Sequence, residues 1–163
     1  MKTLLLMRHA KSSWDDETLS DHQRPLNRRG LAAAPRMGRF LQEQSLLPDL
    51  ILASTAERAR HTAELVAEAS GFAGDLHEYD DLYHAGPHQF LTVLANIEGE
   101  YDRVLVVAHN PGSEELIELL TGKHERMPTA ALAQISLSID SWSEINGRTS
   151  STLEDVWRPK ELD

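Results

Sequence analysis

Cysteine is absent from this chain. No disulfide framework can staple the fold, and no thiolate can act as nucleophile or metal ligand. Nor does any apolar stretch approach the roughly 20 residues that a membrane-spanning helix needs, so no membrane partner is expected. The first apolar run, Leu4-Leu5-Leu6-Met7, is too short for the core of a secretory signal, and no small-residue cleavage pattern follows it. A cytoplasmic location is the resulting expectation. Positive charge is scarce: 16 Lys and Arg stand against 26 Asp and Glu, a net charge of -10. That balance argues against a general nucleic-acid binder, which usually presents a basic face. It does not forbid a small anionic ligand, because a local arginine cluster can dominate a focused cleft. Neither a G-x-x-x-x-G-K-[ST] loop nor a G-x-G-x-x-G fingerprint occurs, so nucleotide binding has little support. Internal repeats, low-complexity tracts and linkers are likewise missing.

What remains is ordinary globular composition, 40% apolar and 26% charged over 163 residues. This is enough to bury one core, and residues 1–163 read as a single domain. Lys2 to Met7 reads as a buried strand. Asn27 caps a helix to about Gln44 whose inner face carries Leu31, Ala34, Met37 and Leu41. Pro35 inside that pattern predicts a kink or a later start. A strand over Asp49–Ala53 precedes a helix capped by Ser54 or Thr55 and running to about Ala69. Ala59, Thr62, Ala63, Val66 and Ala67 face inward there, and Gly71 and Gly74 end it. A short strand near Leu76–Glu78, a helix over His88–Ile97, a strand over Arg103–Ala108 and a helix over Ser113–Leu120 follow. Leu132–Ile139 and Thr152–Val156 close the series as strands. Strands alternating with helices imply an α/β fold of three layers, a mainly parallel sheet with helices on both faces. The last two strands can add an antiparallel edge.

In such a sheet the strand ends gather at one edge, where ligand crevices lie. Three ends carry polar groups: Arg8 and His9; Ser54, with Arg58 one helical turn on; and His109 with Asn110. Arg58 falls in the first turn of its helix, where backbone N–H groups also favour an anion. A guanidinium fork grips phosphate oxygens, and a neutral imidazole offers a lone pair to phosphorus. Phosphate chemistry is the reading that this convergence suggests. Taken singly, each histidine is more simply structural, and Arg58 is more simply a solvated residue pairing with Glu57 or Glu64. His84 and His88 share metal-ligand spacing, but Gly86 and Pro87 between them break a helix, so no metal site is expected. The acidic run Glu78, Asp80 and Asp81 reads as a solvated loop.

Five ordered blocks carry a resemblance. Leu6-Met7-Arg8-His9-Ala10-Lys11, Ser54 to Ala63 and Val106 to Pro111 resemble the histidine phosphatase superfamily, the group that includes phosphoglycerate mutases. Arg24-Pro25-Leu26-Asn27-Arg28-Arg29-Gly30 and Leu82-Tyr83-His84-Ala85 resemble its SixA subgroup of short phosphohistidine phosphatases. The resemblance implies a phosphoglycerate mutase-like fold and no cofactor or metal. It also implies roles. His9 would be the nucleophile that accepts the phosphoryl group. Arg8 and Arg58 would clamp phosphate oxygens, His109 would contact the equatorial oxygens, and Arg24 would add a phosphate or substrate contact. Asn110 is not expected to be a direct ligand. Larger members carry a carboxylate proton donor after the second helix. Glu78, Asp80 and Asp81 fall in that region without matching it, so the donor stays unassigned.

Short loops over the strand ends leave no room for a capping insertion, so the site should be open. An open site favours phosphohistidine borne on a protein over a small phosphorylated substrate. Two alternatives remain at this level: a small-molecule phosphomonoesterase, and a non-catalytic module that docks phosphate through Arg8, Arg58 and His109.

Overall fold

The computed structural model describes residues 1–162. Ten regular elements follow one another as β1 (Lys2–Arg8), α1 (Arg28–Glu43), β2 (Leu50–Ser54), α2 (Glu57–Ser70), β3 (Asp75–Tyr79), α3 (Pro87–Ala95), β4 (Arg103–Ala108), α4 (Gly112–Thr121), β5 (Leu132–Leu137) and β6 (Ser151–Trp157). Short 3-10 turns lie at Asp21–Gln23, Asp80–Leu82, Trp142–Glu144 and Pro159–Glu161. One six-stranded sheet runs in the order β3-β2-β4-β1-β5-β6. Its first four strands are parallel, while β5 runs antiparallel to β1 and β6 antiparallel to β5. The expected α/β architecture with an antiparallel edge is therefore present. No helix among the described residues is long and apolar enough to cross a membrane.

The central strands read as unbroken apolar runs because both of their faces are covered. Leu4 and Leu6 join Leu52, Val104 and Val106 in a core beneath α3 and α4, where Phe90, Leu94, Leu116 and Ile117 are buried. Leu5 and Met7 point the other way, to Ile51, Ala53, Leu105 and Val107 beneath α1 and α2. The two-residue alternation of a strand thus splits one run between two cores.

Several local expectations change. Asn27 does cap α1, its side chain accepting from Gly30 N–H at 3.0 Å. But the buried stripe is Gly30, Ala34, Met37, Gly38 and Leu41, and Leu31 lies 46% exposed. Small residues at 30 and 38 let the helix approach its neighbours closely, which rotates the stripe off Leu31. Pro35 sits inside a helix that begins at Arg28, so the start is not delayed. Neither Ser54 nor Thr55 caps α2; Ala56 occupies that position. Ser54 instead ends β2 and is fully buried, its Oγ accepting from Ala56 N–H at 3.1 Å. Gly71, with φ of 78°, ends α2 in the left-handed conformation that glycine adopts without strain.

Gly112, the first residue of α4, packs on the backbone of Ala85, and a Cβ there would lie 2.0 Å from Ala85 O. The contact is backbone against backbone and cannot yield by a rotamer change. Gly112→Ala should cost about 1–3 kcal/mol of stability, the usual cost of overpacking a tight site. Urea unfolding of the variant checks this, and a wild-type midpoint would contradict it.

Candidate active site

Parallel pairing aligns the polar strand ends. Arg8 on β1 is the direct partner of Ala108 on β4, and Ala53 on β2 is paired with Val107. One residue beyond the first pair, His9 and His109 therefore emerge side by side, with Ser54 one step behind, level with Ala108. His9 N–H continues the ladder by donating to Ala108 O at 3.0 Å. The rings of His9 and His109 lie with centroids 5.0 Å apart. Arg8, His9, Arg24, Arg58 and His109 all line one cleft of about 540 Å3, with Asp21, Asn110 and His84. The residues singled out from the sequence are thus brought together.

His9 is 6% exposed, and its Nδ1 lies 2.7 Å from Ala10 O. A carbonyl oxygen only accepts, so Nδ1 carries the hydrogen and Nε2 keeps its lone pair. Ala10 is itself fixed, since its N–H donates to Thr62 Oγ1 at 3.0 Å while that hydroxyl donates to Arg58 O at 2.6 Å. Thr62 thereby locks the His9–Ala10 segment onto α2. Burial lowers the His9 pKa to about 3; the bond to Ala10 opposes this and the positive charges of Arg58, Arg8 and Arg24 add to it. His109 is also lowered to about 3, first by burial and then by His9, Arg58 and His84. Its Nε2 lies 2.8 Å from Ser54 Oγ, and Ser113 Oγ donates to its carbonyl at 2.9 Å.

Arg58 does not pair with Glu57 or Glu64; Arg60 takes both of those carboxylates. Arg58 turns inward, donating through Nη1 to Asp21 O at 2.7 Å and through Nη2 to Asp21 Oδ2 at 3.0 Å. Arg24 donates to the other oxygen, Asp21 Oδ1, at 2.9 Å, and also to Ser12 Oγ and Ser13 O. Tyr83 O–H donates to Asp21 Oδ2 at 2.6 Å. Burial pushes the Asp21 carboxyl up, but the bonds from Tyr83, Arg24 and Arg58 outweigh it and hold the group below the usual carboxylate range. One ionised carboxylate therefore orients both arginines and Tyr83.

Arg8 is held differently. Its Nη1 donates to Met127 O at 3.3 Å, and its buried Nε has no partner among the described residues. Burial lowers its pKa, and Glu114 counteracts that. Asn110 donates to both Met127 O and Glu114 Oε2, so its amide braces the Arg8 surroundings instead of reaching for a ligand. At the rim Trp14 is 74% exposed, with the Arg24 guanidinium 3.2 Å from its ring centroid. His22 reaches Thr55 Oγ1 at 2.9 Å and meets the Tyr83 ring edge-on, a partnership that its sequence position does not announce. Asp80 and Asp81 are exposed, and Thr55 Oγ1 donates to Asp80 at 2.6 Å. No group of three or more His, Asp or Glu side chains among the described residues could hold a metal ion.

The sequence model of the histidine phosphatase superfamily (branch 1) matches residues 4–85, which contain His9, Arg24 and Arg58. The chain belongs to that superfamily. An uncharacterized chloroplastic protein of Arabidopsis thaliana is 34% identical over 152 residues, covering 88% of this chain and 70% of its own. The protein histidine phosphatase SixA, solved with tungstate, superposes with a TM-score of 0.84 at 25% identity over 99% of both chains. A provisionally named SixA phosphohistidine phosphatase from Agrobacterium tumefaciens gives 0.82 at 28% identity, over 97% of this chain and 98% of that one.

Residue type and spacing do not mark Asp21 or Tyr83 as site residues. Tyr83 lay within a resembling block, but Asp21 sits in a polar stretch whose periodicity carries no signal. The two buried imidazoles yield a pH prediction. Below an ordinary value of about 6.5 the unfolded chain protonates His9 and His109, while the folded chain resists until about 3. Their contribution therefore makes stability fall as pH drops through that window. Asp21, held low, acts in the same sense at still lower pH. Long-range proton–nitrogen spectra recorded from about pH 7 to about pH 5 should show both rings neutral, with His9 protonated at Nδ1. A His9 signal titrating near its ordinary value would remove the argument for a neutral Nε2.

Proposed function

We propose that this cleft hydrolyses phosphohistidine on proteins through a covalent phosphohistidine on His9. The observation that carries the proposal is the Nδ1–H bond from His9 to Ala10 O, which leaves Nε2 unprotonated beside His109 and the arginines. In the first half-reaction the Nε2 lone pair attacks phosphorus and the bond from phosphorus to the substrate nitrogen breaks. The leaving ring nitrogen takes a proton from water or keeps one that the substrate already carries. In the second half-reaction water attacks phosphorus, the bond to Nε2 breaks, and inorganic phosphate leaves with His9 neutral again.

Negative charge spreads over the equatorial oxygens during each transfer, and fixed donors aimed at them stabilise it. Arg8 and Arg58 would supply two forks, and Arg24 a further contact near the rim. Ser54 Oγ already accepts from Ala56 N–H, so donating its own hydrogen to His109 Nε2 leaves His109 Nδ1–H for a phosphate oxygen. The superposition with a SixA structure holding tungstate, a tetrahedral oxyanion, supports this reading. So does the exposure of Lys11, Trp14, Asp15 and His84 around the cleft, which suits a side chain presented by another protein.

Rapid quenching with a labelled phosphohistidine protein should trap an acid-labile phosphoryl group on His9. His9→Ala should abolish both the trapped species and turnover while the fold persists, and retained activity would discard the nucleophile. Arg58→Ala should lose about 3 kcal/mol of transition-state stabilisation, seen as a fall of roughly a hundredfold in kcat. Unchanged kinetics in that variant would refute the clamp. A panel in which small phosphomonoesters outpace the phosphohistidine protein would replace the substrate assignment.

A further inference from the structure

Behind Arg8 the active cleft opens into a second groove of about 590 Å3, which shares Arg8, Lys11 and Thr129 with it. Six of the chain's 16 Lys and Arg residues line this groove: Arg8, Lys11, Arg29, Arg126, Arg158 and Lys160. Among the described residues only one Asp or Glu does so, Glu161. The rest of the surface is correspondingly acidic. Four separate segments converge to build the groove, and hydrogen bonds tie them together. Arg36 of α1 donates to Pro159 O at 2.8 Å, and Arg158 Nε donates to Arg126 O at 3.1 Å. Arg158 is partly neutralised by Glu125 and Glu161. Lys11, Arg29, Arg126 and Lys160 are exposed and make no ion pair among the described residues.

Like charges held together without partners repel one another, and a bound anion relieves that repulsion. We infer that this groove docks an acidic segment of the substrate protein, an Asp- or Glu-rich stretch near the phosphorylated residue, and so deepens the function proposed above, on which the partner class rests. Its continuity with the cleft allows one partner to fill both at once. A nucleic acid suits it less, because its continuous phosphate chain would run on across the acidic remainder of the surface. Such complementarity acts mainly on encounter and on KM, is screened by salt, and leaves the chemical step alone.

The test uses a fluorescein-labelled Glu-rich peptide without phosphate and the triple variant Arg29→Glu, Arg126→Glu, Lys160→Glu. Anisotropy should show wild-type binding that weakens with added salt and falls at least about tenfold in the variant. Hydrolysis of an aryl phosphate by the same variant should proceed with unchanged kcat, which shows that the fold and the cleft survive. Phosphohistidine peptides with Glu or Ser flanks then report kcat/KM, with the Glu-flanked one preferred by the wild type and not by the variant. Equal binding by wild type and variant would overturn the docking surface, as would tighter retention of inorganic tripolyphosphate than of the peptide. If neither phosphohistidine peptide is turned over while the anisotropy difference holds, the proposed reaction fails and the acidic-peptide groove stands.

Discussion

The backbone ladder between β1, β4 and β2 sets where everything else in the cleft can be. Its register fixes Arg8 opposite Ala108 and Ala53 opposite Val107. The next residues of the three strands must then gather at one sheet edge. A slip of one residue would reverse every side chain between the two cores and carry Lys2 or Arg8 toward positions that buried apolar side chains now fill. The desolvation cost at the polar ends of the apolar run therefore opposes the slip, and the register places the imidazoles. The chemistry at the edge inherits its geometry from packing several residues away.

The proposed anion site is held in place by protein contacts alone. Two guanidiniums and a phenol share Asp21, and this carboxylate keeps their donors pointed into the cleft. It also lowers the mutual repulsion of cations crowded beside two buried rings. Arg8 lies outside that network, braced by Met127 O with Glu114 and Asn110 behind it. The proposed clamp thus has two supports from different parts of the chain. Because the rings are buried and sit among cations, they remain neutral, which a nucleophilic nitrogen requires.

Much of this was legible in the sequence. Apolar runs ending in Arg-His and in His-Asn, and a serine followed by an arginine one turn on, pointed to one edge of a parallel sheet. The strand over Arg103–Ala108 has the bounds its sequence suggests, since a short, valine-rich apolar run between polar ends favours a buried strand over a helix. Less was readable where no periodicity exists. The stretch between β1 and α1 holds Asp21, whose role depends on partners 37 and 62 residues away. Ser54 read as a helix cap because its type suits one, yet its hydroxyl serves His109. Leu31 fitted an apolar stripe that small residues at 30 and 38 then shifted.

Composition and order of residues by themselves determined the layer architecture, the parallel core with its antiparallel edge, and the identity of the two histidines and the arginines around them. These follow from local patterns: alternation, apolar runs and residue types at strand ends. Tertiary structure alone decided that Asp21 binds two arginines and Tyr83, that the His9 tautomer exposes Nε2, and that basic residues from α1, the 123–129 loop and the final turn border one groove. Each of those outcomes depends on distance between groups far apart along the chain, and hydrogen bonds and charges act through space, where sequence spacing carries no information.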